Sequence, residues 1–211
     1  MNIGFLKNNW FQLCENEDFF KSETEFLWIK ITKKYSEKGR AYHNLQHLEN
    51  MFLALKPFES IVEDLSVLKF SIWFHDIIYD ATKKNNELKS AEMARKELEN
   101  LGMKKERIER CYEQIMSTKI HLLQGDYQSF DERLLLDLDL DVLSWDWEKY
   151  LEYTKQIREE YKIYPNFLYR KGRKAAMQKF LERPKIYFTK FYKEEKELIA
   201  RENLRKEIEL L

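Results

Sequence analysis

Three of the four histidines in this chain fall between Tyr42 and Asp80, in the words YHNLQHLENMF and FSIWFHDIIYD, and the fourth is His121. Imidazole is a middling helix former, and burying it requires a partner for each ring nitrogen. Folding alone gives no reason for the gathering, whereas a shared ligand does. In the second word apolar residues step by four, three and four through Ile61, Leu65, Leu68 and Ile72, and the next position on that face is His75. An imidazole therefore continues a buried stripe, with Asp76 immediately after it. A carboxylate buried without a partner costs several kcal/mol or takes up a proton, so Asp76 calls for a cation.

The elements that must position these groups are helical. Gly39 ends one helix and Asn44, a good N-terminal cap, opens the next, whose inner face is Leu48, Met51, Phe52 and Leu55. His47 stands one turn before Met51 and so faces inward, and His43, four residues earlier, reaches the same cavity if the first turn forms. Further on, LLLDLDLDVLS over residues 134–144 alternates Asp137, Asp139 and Asp141 with leucine. Read as a helix, it turns one carboxylate inward and two outward, and Asp139 is the inward choice. His47, His75, Asp76 and Asp139 then make a site of two nitrogens and two oxygens.

The pattern H, then HD, then D resembles the HD-domain superfamily of metal-dependent phosphohydrolases. The words YHNLQHLENM, WFHDIIYD, NNELKSA, LLDLDLDVL and IREEYKIYPNFLYRKGR are similar to a bacterial family of predicted phosphohydrolases within it, over residues 40 to about 205. The resemblance implies an HD-domain helical bundle with additional N- and C-terminal helices. It implies His47, His75, Asp76 and Asp139 as ligands of a catalytic divalent metal, and it leaves the substrate open. It also tilts Glu87 toward a role in the site and makes Arg173 the best phosphate contact. By position alone Glu87 is an acid in the first turn of a helix, where the helix dipole favours it.

Four ligands leave positions on an octahedral ion for water and a phosphate oxygen. Mixed nitrogen and oxygen donors suit manganese, iron, cobalt, nickel or zinc, with magnesium allowed; one ion is expected, or two if His43 or His121 also ligates. The expected activity is hydrolysis of a phosphate ester or nucleotide by metal-activated water, with His43, Asp80 and Glu87 as catalytic candidates. Asp80, one helical turn after Asp76, either holds a ligand or water in place or simply ends the helix. His121, Lys119, Arg170 and Arg173 are the substrate-binding candidates. His121 follows Thr118 and Lys119, although an imidazole near a helix C-terminus is favoured there on its own account. Arg170, Lys171, Arg173 and Lys174 crowd around Gly172, as a phosphate site or as a solvated helix face. Three rival readings are a di-iron oxygenase, a metal- or nucleotide-binding sensor or docking module that does not turn over, and a helical bundle whose histidines are satisfied core residues, which leaves Asp76 buried and unpaired.

The rest of the chain fits an all-α fold of one domain over 1–211, with a metal-bearing core at about 40–145 and helices from 145 to 211 packed on it. Glycine and proline number only five and three, which leaves long stretches free for helices. Phe19, Phe20, Phe26, Leu27, Trp28, Ile31 and Tyr35, within one or two helices over 3–38, are expected to supply core contacts that cover the metal-bearing helices. Later helices are expected from about Glu87 to Gly102, at 105–120, 145–163, 167–181 and 185–210, with breaks at Pro165 and Pro184. Charges are balanced at 37 of each sign, so no global field draws the chain to DNA. No apolar run reaches the roughly 18 residues that cross a bilayer. The N-terminus lacks a secretory pattern, and Cys14 and Cys111 read as free buried thiols. These features point to the cytoplasm; the family resemblance implies a small phosphorylated molecule or nucleotide as partner, and a homodimer is compatible with both.

Overall fold

The computed structural model describes residues 1–121 and 129–211, which are helical with no strand among them. In order they form α1 (Ile3–Asn16), α2 (Lys21–Tyr35), α3 (Leu45–Leu55), α4 (Leu65–Phe74), α5 (Asn86–Asn100) and α6 (Lys105–Ser117). These are followed by α7 (Phe130–Asp139), α8 (Trp147–Glu160), α9 (Asn166–Glu182), α10 (Lys190–Glu195) and α11 (Glu197–Leu210). Among the described residues no helix is long and apolar enough to cross a membrane.

The three helices that carry the candidate ligands each start on a side-chain cap. Asn44 accepts from the Gln46 amide at 2.8 Å at the head of α3, Asp64 from Val67 at 3.1 Å at the head of α4, and Ser129 from Glu132 at 3.1 Å at the head of α7. Each cap satisfies an amide that has no partner inside its own helix and fixes where the helix begins. Gly102 (φ 81°) closes α5 and Gly39 (φ 102°) turns the chain ahead of α3, both in the left-handed region that glycine enters without strain.

Helix α4 is the centre of the packing. Every residue from Val67 to Phe74 is buried except Lys69, and the helix packs against α3, α5, α6 and α7. The indole of Trp73 meets Trp10 of α1, Trp28 of α2 and Phe52 of α3, with ring centroids 5.6, 6.0 and 4.9 Å away. The N-terminal helices thus cover α4, and one apolar cluster continues from Leu6 to Leu204. Cys14 and Cys111 are free thiols within it.

Several boundaries differ from the expectation. The apolar stripe does not start at Ile61, which closes a 3-10 turn (Lys56–Ile61) opened by Pro57 and is 60% exposed; α4 begins only after the Asp64 cap. Phe20, just before α2, and Phe26 within it point outward, 77% and 66% exposed, while Leu27, Ile31 and Tyr35 face the core. Helix α6 stops at Ser117, and the expected helix at 185–210 is two helices preceded by an irregular stretch. Two buried carboxylates hold that stretch open. Glu197 accepts the amides of Ile186 and Tyr187, and Asp137 accepts those of Phe188 and Thr189 together with the Thr189 hydroxyl. Asp137, expected to face outward, is therefore fully buried, because the backbone beside it needs an acceptor.

Candidate metal centre

The ends of α3, α4 and α7 meet. His47 lies in the first turn of α3, His75 caps the C-terminus of α4 with its amide still bonded to Ser71, Asp76 follows, and Asp139 is the last residue of α7. One ligand atom from each of these four side chains falls within 4.8 Å of every other. His47 Nε2 is 3.1 Å from His75 Nε2 and 3.2 Å from Asp139 Oδ1, and His75 Nε2 is 3.2 Å from Asp76 Oδ2 and 3.7 Å from Asp139 Oδ1. An ion bonded at roughly 2.0–2.2 Å holds neighbouring ligand atoms about 3.0–3.5 Å apart; three of these separations lie in that range, while His75 to Asp139 at 3.7 Å and His47 to Asp76 at 4.0 Å are longer, so the four donors could gather on a single metal.

The orientation of the donors fits as well. His75 Nδ1 donates to the Ile72 carbonyl at 2.8 Å, which in the neutral ring leaves Nε2 with its lone pair aimed at the cluster. Charge points the same way. Burial would raise Asp76, but the imidazoles of His75 and His43 outweigh it and hold the carboxyl below the usual range. Burial would raise Asp139 too, and hydrogen bonds from His121 and His47 pull it well below. Burial would lower His75, yet Asp76 beside it and Asp139 carry it up to about 9. Burial lowers His47. Two buried carboxylates thus demand positive charge at their centre, which a proton on His75 or a divalent ion can provide. Among the described residues these four could hold a metal, and they are the set that the family resemblance implies.

Two further histidines flank the four. His43 Nδ1 is 2.6 Å from Glu160 Oε2, its Nε2 is 3.9 Å from Asp76 Oδ2, and its ring stacks on Tyr79 at 4.1 Å. Burial would lower His43, but Asp76 and Glu160 raise it. His121 Nε2 lies 2.8 Å from the second oxygen of Asp139, at a left-handed backbone position (φ 46°) beyond the end of α6. Its carbonyl and that of Ile120 accept from Arg183.

Two residues of the site escape a reading based on histidines. Arg40 donates to the carbonyls of His43, Asp76 and Ile77 at 2.9, 2.7 and 2.8 Å, and its guanidinium lies over the rings of Tyr35 and Tyr79. It ties the loop before α3 to the loop after α4. Glu160 accepts the amides of Tyr42 and His43 at 2.8 and 2.9 Å and the Tyr79 hydroxyl at 2.7 Å, besides the His43 ring. A signal for Glu160 exists in the sequence: Tyr150, Tyr153, Ile157 and Glu160 step by three, four and three, which sets a carboxylate on the buried stripe of α8.

Other candidates stand apart. Asp80 is exposed and accepts from the amide and hydroxyl of Thr82, because the chain leaves the helix at Phe74 and no helical turn links Asp80 to Asp76. Glu87 is in the first turn of α5, and among the described residues no hydrogen bond joins it to the four ligands. Lys119 is exposed in the turn after α6, and the Thr118 hydroxyl donates to Ile115 within its own helix end. Arg170 is exposed and donates to the carbonyls of Leu211 and Leu210. Arg173 is the member of its basic run that turns inward, but Glu207 meets its guanidinium at 2.7 and 3.1 Å, so its charge is matched before any phosphate arrives. Comparison of the chain with protein-family models, with curated proteins and with solved structures finds no match.

Proposed function

We propose that the protein is a divalent-metal-dependent phosphohydrolase of HD-domain type, acting on a phosphate ester. The observation that carries the proposal is the convergence of His47, His75, Asp76 and Asp139 from three helix ends, with separations suited to one ion. A divalent ion bound there supplies a Lewis acid that lowers the pKa of water and polarises a phosphoryl oxygen. The mixed donor set suits manganese, iron, cobalt, nickel or zinc.

The chain's own groups have separable tasks in this reading. His47 and His75 present Nε2, and Asp76 and Asp139 present one oxygen each. His121 braces the other oxygen of Asp139 and so fixes the carboxylate's orientation. His43 holds a proton at Nε2, on the side of Asp76, and delivers it to the leaving oxygen as the ester P–O bond breaks and the water oxygen bonds to phosphorus. Glu160 keeps the His43 ring in that orientation by taking Nδ1–H. Arg40 holds the backbone of His43 and Asp76 together, which sets the distance between proton donor and metal ligand.

The test is a screen of phosphate monoesters and diesters with the chain loaded in turn with each of the five metals. Metal-dependent release of inorganic phosphate from a monoester, or of an alcohol and a monoester from a diester, lost in His75→Ala/Asp76→Ala, is the expected result. A metal-loaded chain that cleaves none of them would leave binding without turnover as the better description.

A further inference from the structure

Beside the metal cluster the structure has a cleft of about 470 Å³, and Tyr153, Tyr161, Tyr164, Tyr169, His43 and Arg173 form most of its wall. That is a usual size for a small-molecule site. It begins one side chain away from the ligands: His43 Nε2 is 3.9 Å from Asp76, and the Tyr153 ring lies 4.7 Å from Tyr42, itself 4.9 Å from His47. From its position and its chemistry, we infer that this cleft holds a flat aromatic ring of the substrate, of nucleobase size, while the ester phosphate sits at the cluster. The inference rests on the phosphohydrolase reading and names the substrate class for that same site.

Three observations carry it. Four phenol rings with Ile157 and Leu168 make a wall of aromatic faces and edges, which favour a π-system by offset or edge-on contact. Among the lining residues the cation away from His43 is Arg173, and the bidentate contact with Glu207 matches its charge, so the cleft suits an uncharged ring better than a second phosphate. The third is Gly172, in the interior of the 17-residue helix α9. Its backbone is outside the left-handed region, and a Cβ built there meets nothing within 4 Å. Neither turn geometry nor close packing requires a glycine at this position. Glycine is the second-worst helix former after proline, and what its missing side chain does here is leave room in the cleft it lines.

Hydrolysis in this arrangement breaks the P–O bond to the ring-bearing alcohol, forms the new P–O bond from water, and returns the proton to the alcohol oxygen. The products are inorganic phosphate and the free alcohol.

The test compares manganese-loaded wild type with Gly172→Leu and Tyr164→Ala. Adenosine 5′-monophosphate and phenyl phosphate should exceed glycerol 3-phosphate and glucose 6-phosphate at least tenfold in kcat/KM. Gly172→Leu should raise the thermal midpoint while cutting that preference at least tenfold through KM; a merely structural role would move stability and preference together. Adenosine, which has no phosphate, should bind chelator-stripped wild type measurably in equilibrium dialysis and bind Gly172→Leu at least tenfold more weakly. Equal or better turnover of the glycerol or glucose ester, or a preference untouched by Gly172→Leu, overturns the inference and leaves the phosphohydrolase reading standing. Adenosine binding that Gly172→Leu abolishes, with no ester hydrolysed, supports the cleft and overturns the phosphohydrolase reading.

Discussion

The two ring nitrogens of His43 face different carboxylates, Glu160 at 2.6 Å and Asp76 at 3.9 Å, and that asymmetry gives the ring a direction. Glu160→Gln keeps the shape but offers an amide where the ring needs an acceptor. We expect kcat to fall about 100-fold, the low end for losing a positioned proton donor, with metal content unchanged. A loss of metal content in the variant would instead make Glu160 a support of the ligand cage. His121→Ala frees one oxygen of Asp139, and outer-sphere partners of this kind are worth roughly 10–100-fold in metal affinity. Titration with manganese should show that loss, and an unchanged affinity would mean that Asp139 is held by its helix alone. The candidate ligands themselves are legible from residue types because buried imidazole and carboxylate are out of place on an apolar stripe. Arg40 is not, since its partners are backbone carbonyls that leave no trace in side-chain spacing.

Helices reach this site by their ends, so the caps and clamps at those ends matter more than helix length. Asp64 caps α4 and also receives Arg107, which bridges to Glu17 of α1's C-terminus. Burial would raise Asp64, but the Arg107 guanidinium and the Val67 amide outweigh it and lower the carboxyl below 3.8. A carboxyl depressed in the folded state stabilises fully above its unfolded value and loses that contribution as pH falls through the folded one. Arg107→Gln should therefore lose about 1 kcal/mol at pH 7, the screened value for a partly exposed pair, and little below pH 3. Urea unfolding at the two pH values measures it; an equal loss at both would show packing rather than charge. In α9, Gly172→Ala should add about 1 kcal/mol by helix propensity. Helix starts at Asn44 and Pro165 and the helix end at Gly102 were readable because cap and breaker chemistry is local. The break at Pro184 was readable too, but the irregular stretch after it, at 185–189, was not, because Asp137 and Glu197 hold it open from distant positions, and neither was the outward turn of Phe20 and Phe26, where apolar type alone does not decide burial.

Across the whole molecule, α4 packs against α3, α5, α6 and α7, and its C-terminal end carries His75 and Asp76 into the gap where α3 begins and α7 finishes. Trp73 couples this end to α1, α2 and α3, so Trp73→Ala should cost about 3–5 kcal/mol in chemical denaturation and loosen the metal ligands with it. The all-α class followed from composition and 3.6-residue spacing. The convergence of three chain-distant segments did not follow from spacing, and reading it required the resemblance of their motifs to a known constellation. A metal held only by the folded chain adds about 2.7 kcal/mol of stability at a hundredfold excess over Kd. The most direct measurement is the metal content of the purified protein by elemental analysis, before and after incubation with manganese, iron, cobalt, nickel or zinc, on wild type and on His75→Ala/Asp76→Ala. One divalent ion per chain in wild type and none in the folded double variant is the expected result. A wild-type chain that contains no metal and takes up none of the five would contradict the metal centre, and with it the proposed hydrolysis.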